Sequence, residues 1–410
     1  MDNQLTMVSR IDRGQIANQI AEKLVFARLS ALTSGELELV FAGRQARFGK
    51  RTEDGLSAKL TVVDDALFRK VLSGGTIGAA ESYIDGDWYA DDLTSFLRIF
   101  ARDAEMVDGF ERGLSRVGRA MAGLYHATRR NTRAGSRNNI EAHYDLGNDF
   151  FEIMLDETMT YSAGIFESEH SSLKDASIRK LDTLCRRLEL RPGHHLLEIG
   201  TGWGSLAMHA ARTYGCRVTT TTISKEQRAW AISKIREEGL EGQIEVLDRD
   251  YRDLEGQYDR IVSCEMIEAI GHKQYPTFFE KCAARLAPGG LLALQAITMR
   301  DQLFDRTKDS VDFIKRYIFP GSCIPSASIL HEVAAKSRFV LRGYDDYTLH
   351  YARTLRTWRE NLAPHRTAVV HKYGERFWRM WNYYLAYCEA GFLEKYIGSA
   401  QMLFERGPSR

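Results

Sequence analysis

The chain has 410 residues, with 56 Lys and Arg against 55 Asp and Glu, a net charge of +1 and 44% hydrophobic residues. That length predicts two domains, and the composition is that of a globular protein without low-complexity runs. The charge balance argues against a nucleic-acid binder working by bulk electrostatics, and no apolar run is long enough to cross a bilayer.

Asp2, Arg10, Asp12 and Arg13 interrupt any hydrophobic leader near the start. Residues 14–32 then predict an amphipathic helix with Ile16, Ile20, Leu24 and Val25 on its packed face; Lys23 and Arg28 leave contact with a membrane surface open. Leu37, Leu39 and Phe41 alternate along one strand, a second strand follows near Ala46–Phe48, and Leu60 and Val62 mark a third. Helices are expected at Asp65–Ser73, Ile77–Ile84 and Leu93–Arg102, with an aromatic cluster at Trp88-Tyr89. This is a small α+β domain over residues 1–122.

Residues 123–139 turn polar and basic, with Arg129, Arg130, Arg133 and Arg137. They read as a solvated linker, or as an arginine strip for an anionic membrane surface. From 140 to 410 the chain predicts a single catalytic domain. A helix at Leu173–Leu188 precedes strands at Leu196–Ile199, Arg217–Thr222, Ile244–Leu247, Tyr258–Ser263 and Leu291–Ile297, separated by helices, and Pro288-Gly-Gly290 turns into the last of them. Such alternation predicts an α/β fold with a doubly wound parallel sheet. The helix Arg376–Tyr387 is aromatic, with Trp378, Trp381 and Leu385 on one face. It reads as packing, with Tyr383 or Tyr387 as candidates to face a ligand site. Glu389 stands out as a polar residue in that apolar region. Six cysteines without C-x-x-C spacing suit a reducing cytoplasm, and no metal is expected.

The most informative stretch is His195-Leu-Leu-Glu-Ile-Gly-Thr-Gly-Trp-Gly-Ser-Leu-Ala207. A β-prone run ends in Glu198 and passes through Gly200, Gly202 and Gly204 into a helix. Glycines let the backbone turn sharply and approach a ligand, and the helix N-terminus favours an anionic group. The spacing Glu-x-Gly-x-Gly-x-Gly is similar to the first motif of S-adenosylmethionine methyltransferases, with a dinucleotide enzyme as the competing reading. The ligand crevice should lie beyond the carboxyl ends of the strands, among Thr222-Ile-Ser224, Asp250-Tyr-Arg252 and Glu265–Glu268.

Together with His143-Tyr-Asp-Leu-Gly-Asn148, Asp250-Tyr-Arg-Asp-Leu254, Arg316-Tyr-Ile-Phe-Pro320 and Pro325-Ser326, these segments resemble the cyclopropane fatty acid synthases and the related mycolic acid methyltransferases. The resemblance implies an N-terminal lipid-engaging domain and a class I S-adenosylmethionine methyltransferase domain with helical insertions. It implies action on unsaturated acyl chains of membrane phospholipids by a cytoplasmic, peripherally membrane-associated enzyme. Tyr161, Ser162, Gly200, Gly202, Gly204, Thr222, Ser224 and Gln227 would hold S-adenosylmethionine, with Asp250 and Tyr251 near its adenine. In this family a bound bicarbonate is the base that closes the ring, and the positions that would hold it are Glu268, Gln295, Ile297 and Tyr351. Glu265 competes with Glu268 for a site role.

Two departures bear on the product. Gln295 stands where the family has His, and Ala163 where it has Cys. A glutamine donates a hydrogen bond but exchanges no proton near neutral pH. The expected product is a cyclopropane chain; the alternative is methyl transfer without closure, giving methyl-branched or methylene chains, furan fatty acid precursors included. Methylation of protein, RNA or small metabolites, and a lipid-binding pseudoenzyme, are the readings from other classes. The expected partners are unsaturated phospholipid and an anionic membrane surface, without nucleic acid; a homodimer and a partner reductase or desaturase stay open.

Overall fold

A computed structural model of the protein describes residues 17–103 and 147–408. The basic segment 123–139, the proposed boundary at 122 and His143–Leu146 of the family-like motif lie outside the described residues. The chain packs as two compact units, divided otherwise than at one linker. The first takes in the described N-terminal residues together with Val311–Arg316 and Arg366–Glu394; the second holds the described chain from 147 to Ser310, Tyr317–His365 and the C-terminal strand.

In the first unit β1 (Gly35–Phe41), β2 (Arg44–Lys50), β3 (Ser57–Val62) and β4 (Trp88–Ala90) make a sheet of order β2-β1-β3-β4, in which β1 and β3 run parallel. The aromatic cluster at Trp88-Tyr89 is thus an edge strand. The two helices expected between 65 and 84 are one helical element, Ala66–Asp85, kinked at Gly75, whose φ of 59° is non-helical. The helix at 17–29 buries Ala21, Val25 and Leu29, whereas Ile20 and Leu24 are about half exposed. The i, i+4 spacing fits either stripe, and the side that meets the sheet decides which is covered.

The aromatic helix, Glu375–Leu393, belongs to this unit. Trp381 and Leu385 are buried, Trp378 is partly exposed, and Tyr383 packs against Tyr83 and Phe313. Glu389 accepts a hydrogen bond from Thr94 Oγ1 at 2.9 Å, which accounts for a buried carboxylate there.

The second unit is built on a seven-stranded sheet of order β10-β11-β9-β8-β5-β6-β7. β5 (His195–Ile199), β6 (Arg217–Thr221), β7 (Ile244–Leu247), β8 (Tyr258–Cys264) and β9 (Leu286–Met299) are parallel, as the alternating pattern predicts. β10 (Phe339–Asp346) and β11 (Ile397–Arg406) are not in that pattern, and β11 runs antiparallel to both its neighbours. The purely parallel sheet is thus corrected to a mixed one. β9 starts earlier than expected: the ladder jumps from Tyr258–Leu286 to Arg260–Leu291, so Pro288-Gly-Gly290 forms a bulge inside the strand.

Strand order reverses at β5, which lies between β8 and β6. The switch point opens a crevice at the carboxyl ends of these strands. Apolar layers on the sheet fix its position, one around Leu197, Ile261 and Leu292 and one around Leu196, Val218 and Val262.

Candidate active site

The glycine turn emerges at this switch point. Gly200, Gly202 and Gly204 have φ of 104°, 52° and 94°, the left-handed region where a Cβ is strained. Gly200 and Thr201 donate their N–H groups to Thr221 O, both at 3.1 Å, which pins the turn to β6. A Cβ on Gly200 would come within 3.4 Å of Met266, whereas one on Gly202 would project into open space. That space, ahead of the helix Ser205–Tyr214, is a cradle a side chain would fill. Behind it Glu198 is buried and accepts from Thr220 Oγ1 at 2.6 Å; burial raises its pKa to about 8.

The other residues expected around S-adenosylmethionine gather at these strand ends to different degrees. Thr222 Oγ1 and Gln227 Oε1 are buried and 3.3 Å apart, a hydroxyl and an amide suited to a ribose diol. Ser224 Oγ accepts from Gln227 N at 3.3 Å and caps the helix Lys225–Glu237. Asp250 is clamped by Arg252, whose Nε and Nη2 reach its two oxygens at 2.8 and 2.6 Å. Tyr251 packs on Phe278 in the core, and its buried hydroxyl has no hydrogen-bond partner. Tyr161 lies between Phe151 and Trp358, and Ser162 Oγ accepts from Lys180 Nζ at 2.8 Å. The open cradle and this donor and acceptor set fit S-adenosylmethionine.

Beyond β8 lie two carboxyls, Glu265, which is partly buried, and Glu268, which is buried. Glu265 has φ of 50°, and its N–H continues the ladder to Gln295 O at 2.8 Å. That left-handed step carries a carboxylate to which three separate segments bring donors. Gln295 Nε2 from β9 and Ala163 N from the Met159–Gly164 loop donate to Oε1 at 2.8 and 3.1 Å. Tyr351, on the helix Thr348–Leu362, donates its hydroxyl to Oε2 at 2.6 Å. Gln295 Oε1 in turn accepts from Gln401 Nε2 at 2.9 Å, so both ends of this amide are engaged.

Glu268 sits on the short turn Ile267–Ile270, where its Oε1 accepts from Ile297 N at 2.5 Å and its buried Oε2 has no partner. Burial raises both carboxyls. Against this, the Tyr351, Gln295 and Ala163 donors and the Lys180 charge draw Glu265 back down. For Glu268, burial and then the Glu265 charge push the value to about 8. The two carboxyls thus sit in different environments: Glu265 is held among three donors, and Glu268 keeps one buried oxygen without a partner.

The four positions the resemblance assigns to a bicarbonate site do come together, but around carboxylates of the chain itself. Gln295 and Tyr351 are engaged with Glu265, and Ile297 N with Glu268. A bicarbonate there would find those donors already taken by the chain's own carboxyls, so the residues as arranged do not fit it. Ala163 contributes its backbone N–H, which a change from Cys leaves intact. No cluster of His, Cys, Asp and Glu suited to a metal occurs among the described residues.

Lys180 and Gln401 escaped the sequence reading, and each left a trace. Lys180 sits in the buried stripe of the helix Leu173–Arg187, with Ala176, Leu181 and Leu184, where a lysine needs partners. Gln401 is polar within the apolar run Ala400–Phe404 of β11, opposite Gln295 in register.

Comparison with known proteins agrees with this architecture. Residues 131–402 match the family model described as mycolic acid cyclopropane synthetase. The chain is 38% identical to the tuberculostearic acid methyltransferase UfaA1 of Mycobacterium tuberculosis over 84% of its own length and 82% of that protein's. It is 35% identical to the cyclopropane-fatty-acyl-phospholipid synthase of Escherichia coli over 88% and 91% of the two chains. The solved structure of the cyclopropane synthase MmaA2 from Mycobacterium tuberculosis superposes with a TM-score of 0.62 at 33% identity, covering 66% of this chain and 98% of that one. The mycolic acid cyclopropane synthase CmaA1 complexed with SAH and CTAB gives the same TM-score at 30% identity, again over 66% and 98%. The mixed sheet is thus that of a class I S-adenosylmethionine methyltransferase, and the chain belongs to the mycolic acid cyclopropane synthetase family, as an S-adenosylmethionine-dependent methyltransferase of the cyclopropane-synthase type.

Proposed function

We propose that the protein transfers the methyl carbon of S-adenosylmethionine to the double bond of an unsaturated acyl chain in a membrane phospholipid and closes it to a cyclopropane. The observation that carries this reading is the Glu265–Glu268 pair, the first partly and the second wholly buried, adjacent through Met266 to the glycine turn. An alkene is a weak nucleophile, so the site must hold it in line with the methyl group at near-attack distance. When bound, S-adenosylmethionine would supply an electrophilic methyl carbon: as the alkene's π pair bonds to it the carbon–sulfur bond would break, S-adenosylhomocysteine would leave, and a cation would remain on the chain. A carboxylate held among fixed donors stabilises that cation more than water would. The aromatic group Phe151, Tyr161, Trp203 and Trp358 adds π density to the same unit. Glu268, Gln295, Ile297 and Tyr351 are assigned to the site, with the glycine turn, Thr222 and Gln227 on the cofactor.

A second reading, methylation without closure, is favoured by the 38% identity to a protein named a tuberculostearic acid methyltransferase. A branch that retained unsaturation would then pass to a reductase. The N-terminal unit and the arginines of 129–137 are assigned to the membrane surface; no helix among the described residues is long and apolar enough to cross one. The test is expression in a host lacking its own synthase, with mass spectrometry of the phospholipid acyl chains. A gain of one methylene that resists mild hydrogenation of alkenes is the expected result. A retained double bond means methylation alone, and unchanged acyl chains would sink both readings.

A further inference from the structure

We propose that Glu265 is a built-in replacement for an exogenous base: its carboxylate takes the proton that ring closure releases, so the enzyme works without bicarbonate. The inference rests on the functional reading above and deepens it.

Tyr351, Gln295 and the Ala163 N–H come from a helix, a strand and a loop, and the oxygens they converge on belong to Glu265. Hydrogen-bond donors gathered from three elements around a partly buried carboxylate are an anion site. Here the anion is covalently part of the chain. Its attachment depends on the left-handed backbone at 265, a conformation more natural to glycine. A glutamate held there at a cost of about 1 kcal/mol is a strained residue at a functional site. Gln401 is the positioning residue, since its amide fixes which end of Gln295 faces the carboxylate. Lys180, donating to Ser162 Oγ at 2.8 Å, places a positive charge near Glu265 that favours its ionised form against the effect of burial.

The step balances. After methyl transfer the chain carries a cation at one former alkene carbon and the new methyl on the other. Glu265 accepts a proton from that methyl group, the C–H electron pair forms the third ring bond to the cationic carbon, and Glu265 is left as the neutral acid. Its proton returns to solvent once product leaves. No other reactant is required.

The experiment uses the full-length enzyme, S-adenosylmethionine and vesicles of unsaturated phospholipid in CO2-free buffer, with bicarbonate added back. S-adenosylhomocysteine release and acyl-chain mass are read separately, so methyl transfer by the wild type tests the functional reading and its response to bicarbonate tests this one. The wild-type rate is expected to be the same with and without bicarbonate. Glu265→Gln is expected to lose roughly 10²- to 10⁴-fold in turnover while still binding S-adenosylmethionine in calorimetry. Glu265→Gly keeps the three donors and suits the backbone, so bicarbonate or formate should restore much of its activity. A wild-type rate that collapses without bicarbonate and recovers with it overturns the proposal, as does full turnover by Glu265→Gln.

Discussion

Tyr351 donates its hydroxyl to Glu265 over 2.6 Å across 86 residues of sequence, joining the helix Thr348–Leu362 to the end of β8. A hydrogen bond to a buried charge is worth about 1.5–3 kcal/mol. Tyr351→Phe removes the donor and little volume, so the expected loss of stability falls in that range. Turnover should fall at least roughly tenfold, since the carboxylate loses a group that favours its ionised form. Chemical denaturation and S-adenosylhomocysteine release measure the two effects. Unchanged stability would mean that the hydroxyl finds no charged partner in solution.

Glu268 makes a prediction about pH. Its folded-state pKa is raised, from an ordinary 4.5 to about 8, by burial and then by Glu265. The folded protein therefore holds a proton that the unfolded chain releases above 4.5. The stability linked to this proton is complete below 4.5 and is lost as pH rises through about 8. Glu268→Gln carries no titrating proton, so its stability relative to wild type should improve between pH 6 and pH 9. Turnover should fall sharply at every pH, with S-adenosylmethionine binding retained. Parallel denaturation curves at the two pH values would refute the assignment of the raised carboxyl to Glu268.

Lys180 supplies the positive charge in this interior, bonded to Ser162 and acting on Glu198, Cys264 and Glu265 through space. Lys180→Met keeps the length of the side chain and removes the charge. The carboxyls it faces should then ionise at higher pH, and the acid limb of the activity profile should move to alkaline values. The lost hydrogen bond costs about 1–3 kcal/mol. An unmoved profile in a folded variant would leave Lys180 a packing residue only.

The parts of this protein that were legible in the sequence are those with local causes. β5 to β8 follow from short apolar runs between helices, and the glycine turn from its spacing. β10 and β11 are harder to read because their burial is set by partners distant in sequence: β11 lies between β9 and β10 only after the chain has passed through the first unit. The same reason hid the partners of Glu265. Its neighbours in the motif are visible in sequence, but Ala163, Gln295, Tyr351 and Lys180 reach it from four elements, and no periodicity connects them. The choice between Glu265 and Glu268 likewise needed geometry, since a left-handed residue at the strand end turns the first carboxylate toward donors that spacing alone would give to the second.

Gly202 lies at the open part of the glycine turn. Its φ of 52° strains any residue with a Cβ, and that Cβ would enter the open space ahead of the helix Ser205–Tyr214. Gly202→Ala should cost about 1–2 kcal/mol of stability for the left-handed backbone. Because the methyl group occupies the cradle, the dissociation constant for S-adenosylmethionine should rise at least about tenfold, equivalent to about 1.4 kcal/mol. Gly242→Ala is the control: it too meets no atom within 4 Å, but its φ is not left-handed and it lies outside the turn. Calorimetry on both variants separates the effects. Binding lost in Gly202→Ala and kept in Gly242→Ala places the methyl donor against this turn, whereas equal binding in both would move it elsewhere along the strand ends.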